Sequence, residues 1–280
     1  RFHAFLAAWQ RATDATRRSG PVGLGEALTQ LAGAAHTAAE WEQEVLPRHV
    51  DRPRREWLDQ LTSSGAFAWL RLWGPWRGPL SRLPLSFVPR AELPRWLELP
   101  LGRATPDDLG ADARALHDLL AARGALFPTD LQAGSGLLPS RFEDALAELV
   151  GHGLATCDSF AAMRQLAIAP SRRRFPLFAV GRWSLLPLPP EGQRASDQAI
   201  ELAARALLRR FGVVAHALLL EHKVPVPWRL VLRTLRHLEL AGEVRGGRFV
   251  SGWAGEQYAL PDALAALRRT APAADGAREA

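Results

Sequence analysis

A ten-position pattern, Leu-x-x-Leu-x-x-x-Gly-x-apolar, occurs three times in this chain and constrains its fold more than any other feature. The copies are Leu58, Leu61, Gly65, Phe67, then Leu146, Leu149, Gly153, Ala155, then Leu235, Leu238, Gly242, Val244, set 88 and 89 residues apart. Self-similarity at a near-fixed period marks an array of like units. In each copy a helix is stopped by glycine, whose missing Cβ tolerates the left-handed position that follows a helix end. Extended, apolar sequence follows at once: Phe67 to Trp73 with Leu83 to Val88, Leu154 to Cys157 with Gln165 to Ile168, and Val244 to Val250 with Gln257 to Leu260.

Two more helical stretches precede each copy. They run from about Leu24 to Leu31 and Ala38 to Leu46, from Asp108 to Arg123 and Phe127 to Gln132, and from Ser196 to Arg210 and Val213 to His222. Proline opens each third helix, at Pro53, Pro139 and Pro227, where the amide hydrogen it lacks would be unpaired in any case. Three helices followed by a two-stranded ribbon describe a winged helix. The expected fold is therefore mainly α with small β wings, about three winged-helix domains in tandem, with short β segments in the linkers. The expected division is an N-terminal helix over 1–22 continuing from an upstream region, units over 23–104, 105–170 and 195–270, an Arg- and Pro-rich linker over 171–194, and a disordered tail over 271–280.

A chain of 280 residues with 48% hydrophobic and 23% charged residues has material for a real core. The net charge of +6 favours an acidic macromolecule as partner, and its location sharpens this. Eleven Lys and Arg face five Asp and Glu between Arg205 and Arg269, while the remainder of the chain is neutral. On the third helix of the third unit, Val231, Leu235 and Leu238 share one face, and Arg229, Arg233 and Arg236 repeat the same spacing on another. Arg245 and Arg248 flank Gly246 and Gly247 in the wing. These glycines either form a two-residue hairpin turn or lie in one kinked strand whose tip is Ser251 to Gly255; the returning "EQYALP" favours the second. Guanidinium groups suit phosphates and guanine edges, so the five arginines are the candidate nucleic-acid contacts, with Arg172, Arg173 and Arg174 as further phosphate contacts. The corresponding helices of the first two units carry Glu56, Asp59, Asp144 and Glu148, which repel phosphate and suit protein contacts instead.

Cys157 is the single cysteine, which excludes an internal disulfide and fits a reducing compartment. No long apolar run or leader pattern is present, so no membrane partner and a cytoplasmic location are expected. The histidines and lone cysteine form no metal-ligand spacing. Trp41, Trp57, Trp69 and Trp228 suit a core, whereas Trp73, Trp76, Trp183 and Trp253 fall in loops or linkers, positioned to stack on bases or to pack units together.

The segments "LLPSRFEDALAELVGHGLATCDSFAAMRQLAIAPSRRR", "GRWSLL", "LLRRFGVV" and "PWRLVLRTLRHLELAGEVRGGRFVSGWAGEQYALPDAL" closely resemble the C-terminal region of bacterial large helicase-related (Lhr) proteins. "RFHAFLAAWQ" and "EVLPRHV" extend the resemblance to nearly the whole chain, and "GGRFVSGWAGEQYALP" is its most specific part. The resemblance implies an ATP-driven DNA repair helicase that moves on single-stranded DNA and prefers RNA:DNA hybrids. Its ATP and Mg²⁺ would sit in upstream motor domains, its C-terminal extension would be built of tandem winged helices, and some members would assemble as homo-oligomers. It also implies likeness to AlkZ-type DNA glycosylases and a link to uracil excision. The chain has no Gly-x-x-x-x-Gly-Lys-Ser/Thr loop, so no cofactor is expected in this fragment. No catalytic residue can be assigned: Gln10 has unsuitable neighbours for a glycosylase glutamine motif, and Asp262 and Asp275 have no supporting spacing. Three functions follow as expectations: a DNA-binding and assembly module, a glycosylase domain, and a purely structural oligomerisation domain.

Overall fold

The computed structural model describes residues 2–99, 104–168, 181–222 and 226–270. Helix α1 (Phe2–Trp9) precedes the first unit. That unit contains α2 (Gly20–Gln30), α3 and α4 (Arg55–Ser63), followed by the ribbon of β1 (Phe67–Leu70) and β2 (Ser86–Pro89). Helix α3 runs through Ala38–Glu40, a π turn at Trp41–Val45, and Leu46–His49. A short α5 (Leu93–Glu98) lies within the expected linker after Pro89. The second unit holds α6 (Ala111–Arg123), α7 (Pro128–Ser135), α8 (Pro139–Gly151), β3 (Ala155–Cys157), α9 (Phe160–Ala167) and β4 (Trp183–Leu185). The third holds α10 (Asp197–Phe211), β5 (Val213–Ala215), α11 (His216–Glu221), α12 (Trp228–Leu240), β6 (Arg245–Gly247), β7 (Gln257–Ala259) and α13 (Pro261–Arg269).

The repeated glycines act as the pattern requires. Gly65, Gly153 and Gly242 have φ of +77°, +71° and +79° after α4, α8 and α12. Behind Gly153 and Gly242 the next amides, of Leu154 and Glu243, reach back to the carbonyls of Leu149 and Leu238 at 3.0 and 2.9 Å, the bond that closes a Schellman end. Leu58, Leu146, Leu149, Leu235 and Leu238 are buried, so the motif couples helix termination to core formation.

Two expected elements are corrected. Gln165 to Ile168 is not the returning strand of the second wing: Phe160, Met163 and Leu166 are buried at helical spacing on α9, and β3 pairs instead with β4, Cys157 opposite Trp183. Trp183 is thus a fully buried strand residue rather than a loop tryptophan. Val213 does not begin a helix either. After Gly212, at φ +69°, the paired valines extend as β5 alongside β7, giving the third unit a three-stranded sheet ordered β5-β7-β6.

The β1–β2 ribbon joins the units. All of β1 is buried, and its residues alternate between two cores. Phe67 and Trp69, with Phe87 opposite, pack toward the second unit, where Trp69 meets Trp183 and Phe160 edge-on at 5.9 and 6.1 Å. Thr156 Oγ1 donates to the Trp69 carbonyl at 2.6 Å. Ala68, Leu70 and Val88 face the other way, into a core with Trp96 of α5 and Ile200, Ala203 and Leu207 of α10. On the second-unit side, Arg164 of α9 is bonded by Glu42 of α3 at 2.6 Å and by both oxygens of Asp59 of α4.

Three helix C-termini meet at one further junction. Trp9 Nε1 and Gln10 Nε2 donate to the carbonyls of Arg209 and Arg210 at the end of α10, at 3.0 and 2.9 Å, and Gln30 Nε2 donates to Trp9 O at 3.1 Å. Arg210, buried, directs its guanidinium to the carbonyls of Leu31 and Ala32 that close α2. Each helix end is satisfied by side chains of another, as buried carbonyls require. Burial pushes the Arg210 guanidinium down to about 10, still charged at neutral pH and placed where helix dipoles favour a cation. Arg210→Met leaves those carbonyls unpaired and is expected to lower stability by about 2 to 4 kcal/mol, read by denaturant unfolding. A change under about 0.5 kcal/mol would mean the junction is not a stabilising element.

Candidate nucleic-acid interface

Helix α12 starts beside Pro227 and buries Val231, Leu235 and Leu238 against α10. With one face so occupied, the 3.6-residue period turns Arg229, Arg233 and Arg236 outward, over about 10 Å of helix axis. Arg229 makes no ion pair among the described residues. Arg233 is bonded to Asp197 at the start of α10, and Arg236 to both oxygens of Glu256 at 3.0 and 3.1 Å. Both side chains stay more than half exposed, at 53% and 56%. The Glu256 hydrogen bond holds the Arg236 guanidinium above its ordinary value. Such surface pairs contribute little to stability and exchange readily for phosphate.

The wing lies beside this ridge. Both glycines sit in or at the end of β6, so the hairpin tip is the Ser251 to Gly255 loop, with Gly252 and Gly255 at φ +84° and +82°. Gly246 is closely approached: a Cβ there would stand 2.6 Å from Glu239 Oε1, the end of an exposed side chain that accepts the Gly246 amide hydrogen at 2.9 Å. Gln257, completely buried, holds the loop by its side-chain amide. Its Oε1 accepts from the amides of Phe249 and Val250 at 2.7 and 2.8 Å, and its Nε2 donates to Val250 O at 2.9 Å. Arg245 and Arg248 are exposed on this braced hairpin, with no ion-pair partner among the described residues. The ridge and the wing thus form one basic surface, whereas Arg172, Arg173 and Arg174 lie outside the described residues.

Among the described residues, the third helices of the other two units carry one exposed arginine each, Arg55 and Arg141. The ribbon of the first is buried on both faces, and Asp59 on α4 is committed to Arg164. On α8, Glu148 accepts the Gly110 amide at 2.7 Å, and Arg141 is paired with Asp112 at 2.7 and 2.6 Å. Gln10, the one glutamine considered for base excision, is spent on the end of α10.

The N-terminal half of α12 also borders a cleft of about 1180 Å³ between the second and third units. Arg229 and Arg233 line it together with Thr105, Asp107 and the segment from Leu185 to Ala195. Glu98 and Asp107 on its walls are engaged by the Ser196 amide at 2.9 Å and by Arg114 at 3.0 Å. Arg194, exposed in the same lining, has no partner among the described residues.

Two family models match, both described as the winged-helix domain of large helicase-related protein, over residues 1–82 and 193–279. They represent the third and fourth such domains, in that order, and together cover more than half of the chain. The chain belongs to the large helicase-related family. Among curated relatives of this Lhr family, it is 26% identical over 85% of its length to "Lhr helicase/uracil glycosylase" of Escherichia coli (strain K12). It is 27% identical over 94% of its length to "Lhr helicase/ probable uracil glycosylase" of Mycolicibacterium smegmatis (strain ATCC 700084 / mc(2)155). The chain spans 17% and 19% of those proteins, and it is a helicase-associated module from the C-terminal part of the Lhr architecture. No described helix is long and apolar enough to cross a membrane.

The residues that shape this surface without carrying positive charge, Asp197, Glu239, Glu256 and Gln257, escape sequence reasoning because their partners are distant along the chain or are backbone atoms. Gln257→Leu is expected to loosen the wing selectively. Hydrogen exchange at the Phe249 and Val250 amides should rise at least about tenfold, the loss of one net hydrogen bond each, with protection in α12 unchanged. Equal exchange in the variant would show that the side-chain amide does not hold the loop.

Proposed function

We propose that this chain is a DNA-binding and assembly module of an ATP-dependent DNA repair helicase, working beside the motor and hydrolysing no nucleotide itself. The observation that carries this reading is the contrast among the three units. Among the described residues, the third unit sets three outward arginines along its third helix beside two more on its wing, where α4 and α8 carry one each, while the first buries its ribbon to join its neighbours. The sequence has no phosphate-cradling loop, so ATP and Mg²⁺ are assigned to motor domains elsewhere in the protein. The partners in this reading are single-stranded DNA or an RNA:DNA hybrid, the helicase core, and further copies of the chain in a homo-oligomer. Arg229, Arg233, Arg236, Arg245 and Arg248 make the phosphate and base contacts, with Arg172 to Arg174 as additional phosphate contacts.

Five phosphate contacts predict that log K falls with log[salt] at a slope of about −4. Replacing Arg233 and Arg236 together by alanine should weaken DNA binding by about tenfold or more and leave the thermal midpoint within about 2 °C. A flat salt dependence and unchanged affinity would leave only the oligomerisation role.

The printed names of both relatives favour a second reading, uracil excision. It requires a carboxylate or amide poised to activate water beside an extruded base. The displaced carboxyl groups of this chain, Glu40, Asp108 and Glu243, are all held below the usual range by hydrogen bonds, which suits capping and pairing better than proton uptake. Incubating the chain with a uracil-containing single strand, followed by alkali, is expected to give no cleavage above background. Breaks at uracil would make excision the primary function.

A further inference from the structure

Ion pairs that follow the helical period arise in any helix rich in charge. The two carboxylates on the basic ridge are not of that kind. Asp197, the first residue of α10, lies 36 positions from Arg233, and Glu256, just ahead of β7, lies 20 from Arg236. The fold of the unit brings each to its arginine from another element. Ser196 already caps α10, its hydroxyl accepting the Ala199 amide at 3.1 Å, so that helix end does not depend on Asp197. Glu256 is steadied from a second side by the Tyr258 hydroxyl, which donates to it at 3.3 Å. The two acids are 87% and 51% exposed, and pairs so open contribute little to stability. Their effect on a ligand is larger. Beside the three ridge arginines they leave one net positive charge, while Arg229, Arg245 and Arg248 have no ion-pair partner among the described residues. A phosphate reaching Arg233 or Arg236 must displace a carboxylate or lie beside one. It breaks a charge-assisted hydrogen bond in the first case and meets like charge in the second.

We infer that Asp197 and Glu256 are resident competitors for phosphate, autoinhibitory contacts that hold Arg233 and Arg236 in the free protein and keep the module's grip on nucleic acid weak. This rests on the nucleic-acid reading above and divides its five arginines into two kinds. Arg229, Arg245 and Arg248 are open to the first phosphates. Arg233 and Arg236 engage only as their carboxylates withdraw. A grip that includes two contacts of low net gain is released easily, as sliding along a polyanion requires.

The test uses the full chain and a fluorescent oligothymidylate of about 20 nucleotides in about 100 mM salt, where phosphate contacts dominate binding. Asp197→Asn and Glu256→Gln, which keep shape and remove charge, are each expected to tighten binding about fivefold, the factor that one unit charge about 4 Å away exerts through bulk water. Glu44→Gln, which breaks an exposed pair with Arg48 on α3 of the first unit and makes the same change in net charge, should alter affinity less than about twofold. Thermal midpoints of all three should stay within about 2 °C of the parent. Unchanged affinity would leave the two ridge carboxylates no part in binding, and lowered affinity would make them supports that orient the arginines; either result overturns the inference. An equal gain from Glu44→Gln would overturn it as well, since total charge alone would then account for the effect. In each of these cases, binding by the parent and its weakening by the Arg233→Ala and Arg236→Ala pair keep the nucleic-acid reading standing. If the parent chain binds no strand, both fall.

Discussion

The architecture depends on the β1–β2 ribbon being apolar on both faces. A wing normally leaves one face to solvent, and a two-stranded ribbon by itself is marginal in water. Here Phe67 and Trp69 face one neighbour while Ala68 and Leu70 face the other, so a period of two divides four residues between two cores. Burial on both sides fixes the register, because a slip of one residue would exchange the contents of the cores. It also turns the first wing from a free ribbon into a joint between units.

That specialisation shows how neighbouring units of one chain come to differ in what their surfaces present. Units one and two use the outer faces of their third helices for acids that pair locally or across the joint, Asp59 with Arg164 and Glu148 with Gly110. The third unit, spared that role, keeps its ridge and wing in the open. Its basic surface is held by pieces that are themselves neutral or acidic. Gln257 shapes the tip, Glu239 receives the Gly246 amide, and Asp197 and Glu256 steady two arginines without burying them.

What the sequence made legible was local. The Leu-x-x-Leu spacing and the glycine after it are both determined within one helix and its cap, and the structure places all three glycines at positive φ. The arginine ridge was legible for the same reason, being a matter of period alone. The misread elements depended on distant partners. Gln165 to Ile168 reads as a strand because the wing pattern calls for one nearby, whereas the strand that pairs with β3 is Trp183 to Leu185. Val213 and Val214 become a strand because β7 arrives beside them from more than forty residues away. Arg210 reads as one more contributor to the basic excess, and no local rule distinguishes it from Arg209, yet it is buried.

The reciprocal capping around Arg210 bears on how this array behaves as matter. The ends of α1, α2 and α10 are closed by one another's side chains, so α2 of the first unit and α10 of the third are completed by groups from outside their own units. The modules are therefore not beads that melt separately along a string. The first and third, remote in the chain, lose their order as one cooperative body, and a tug on the third would be carried through rigid helices to the first without passing through the second.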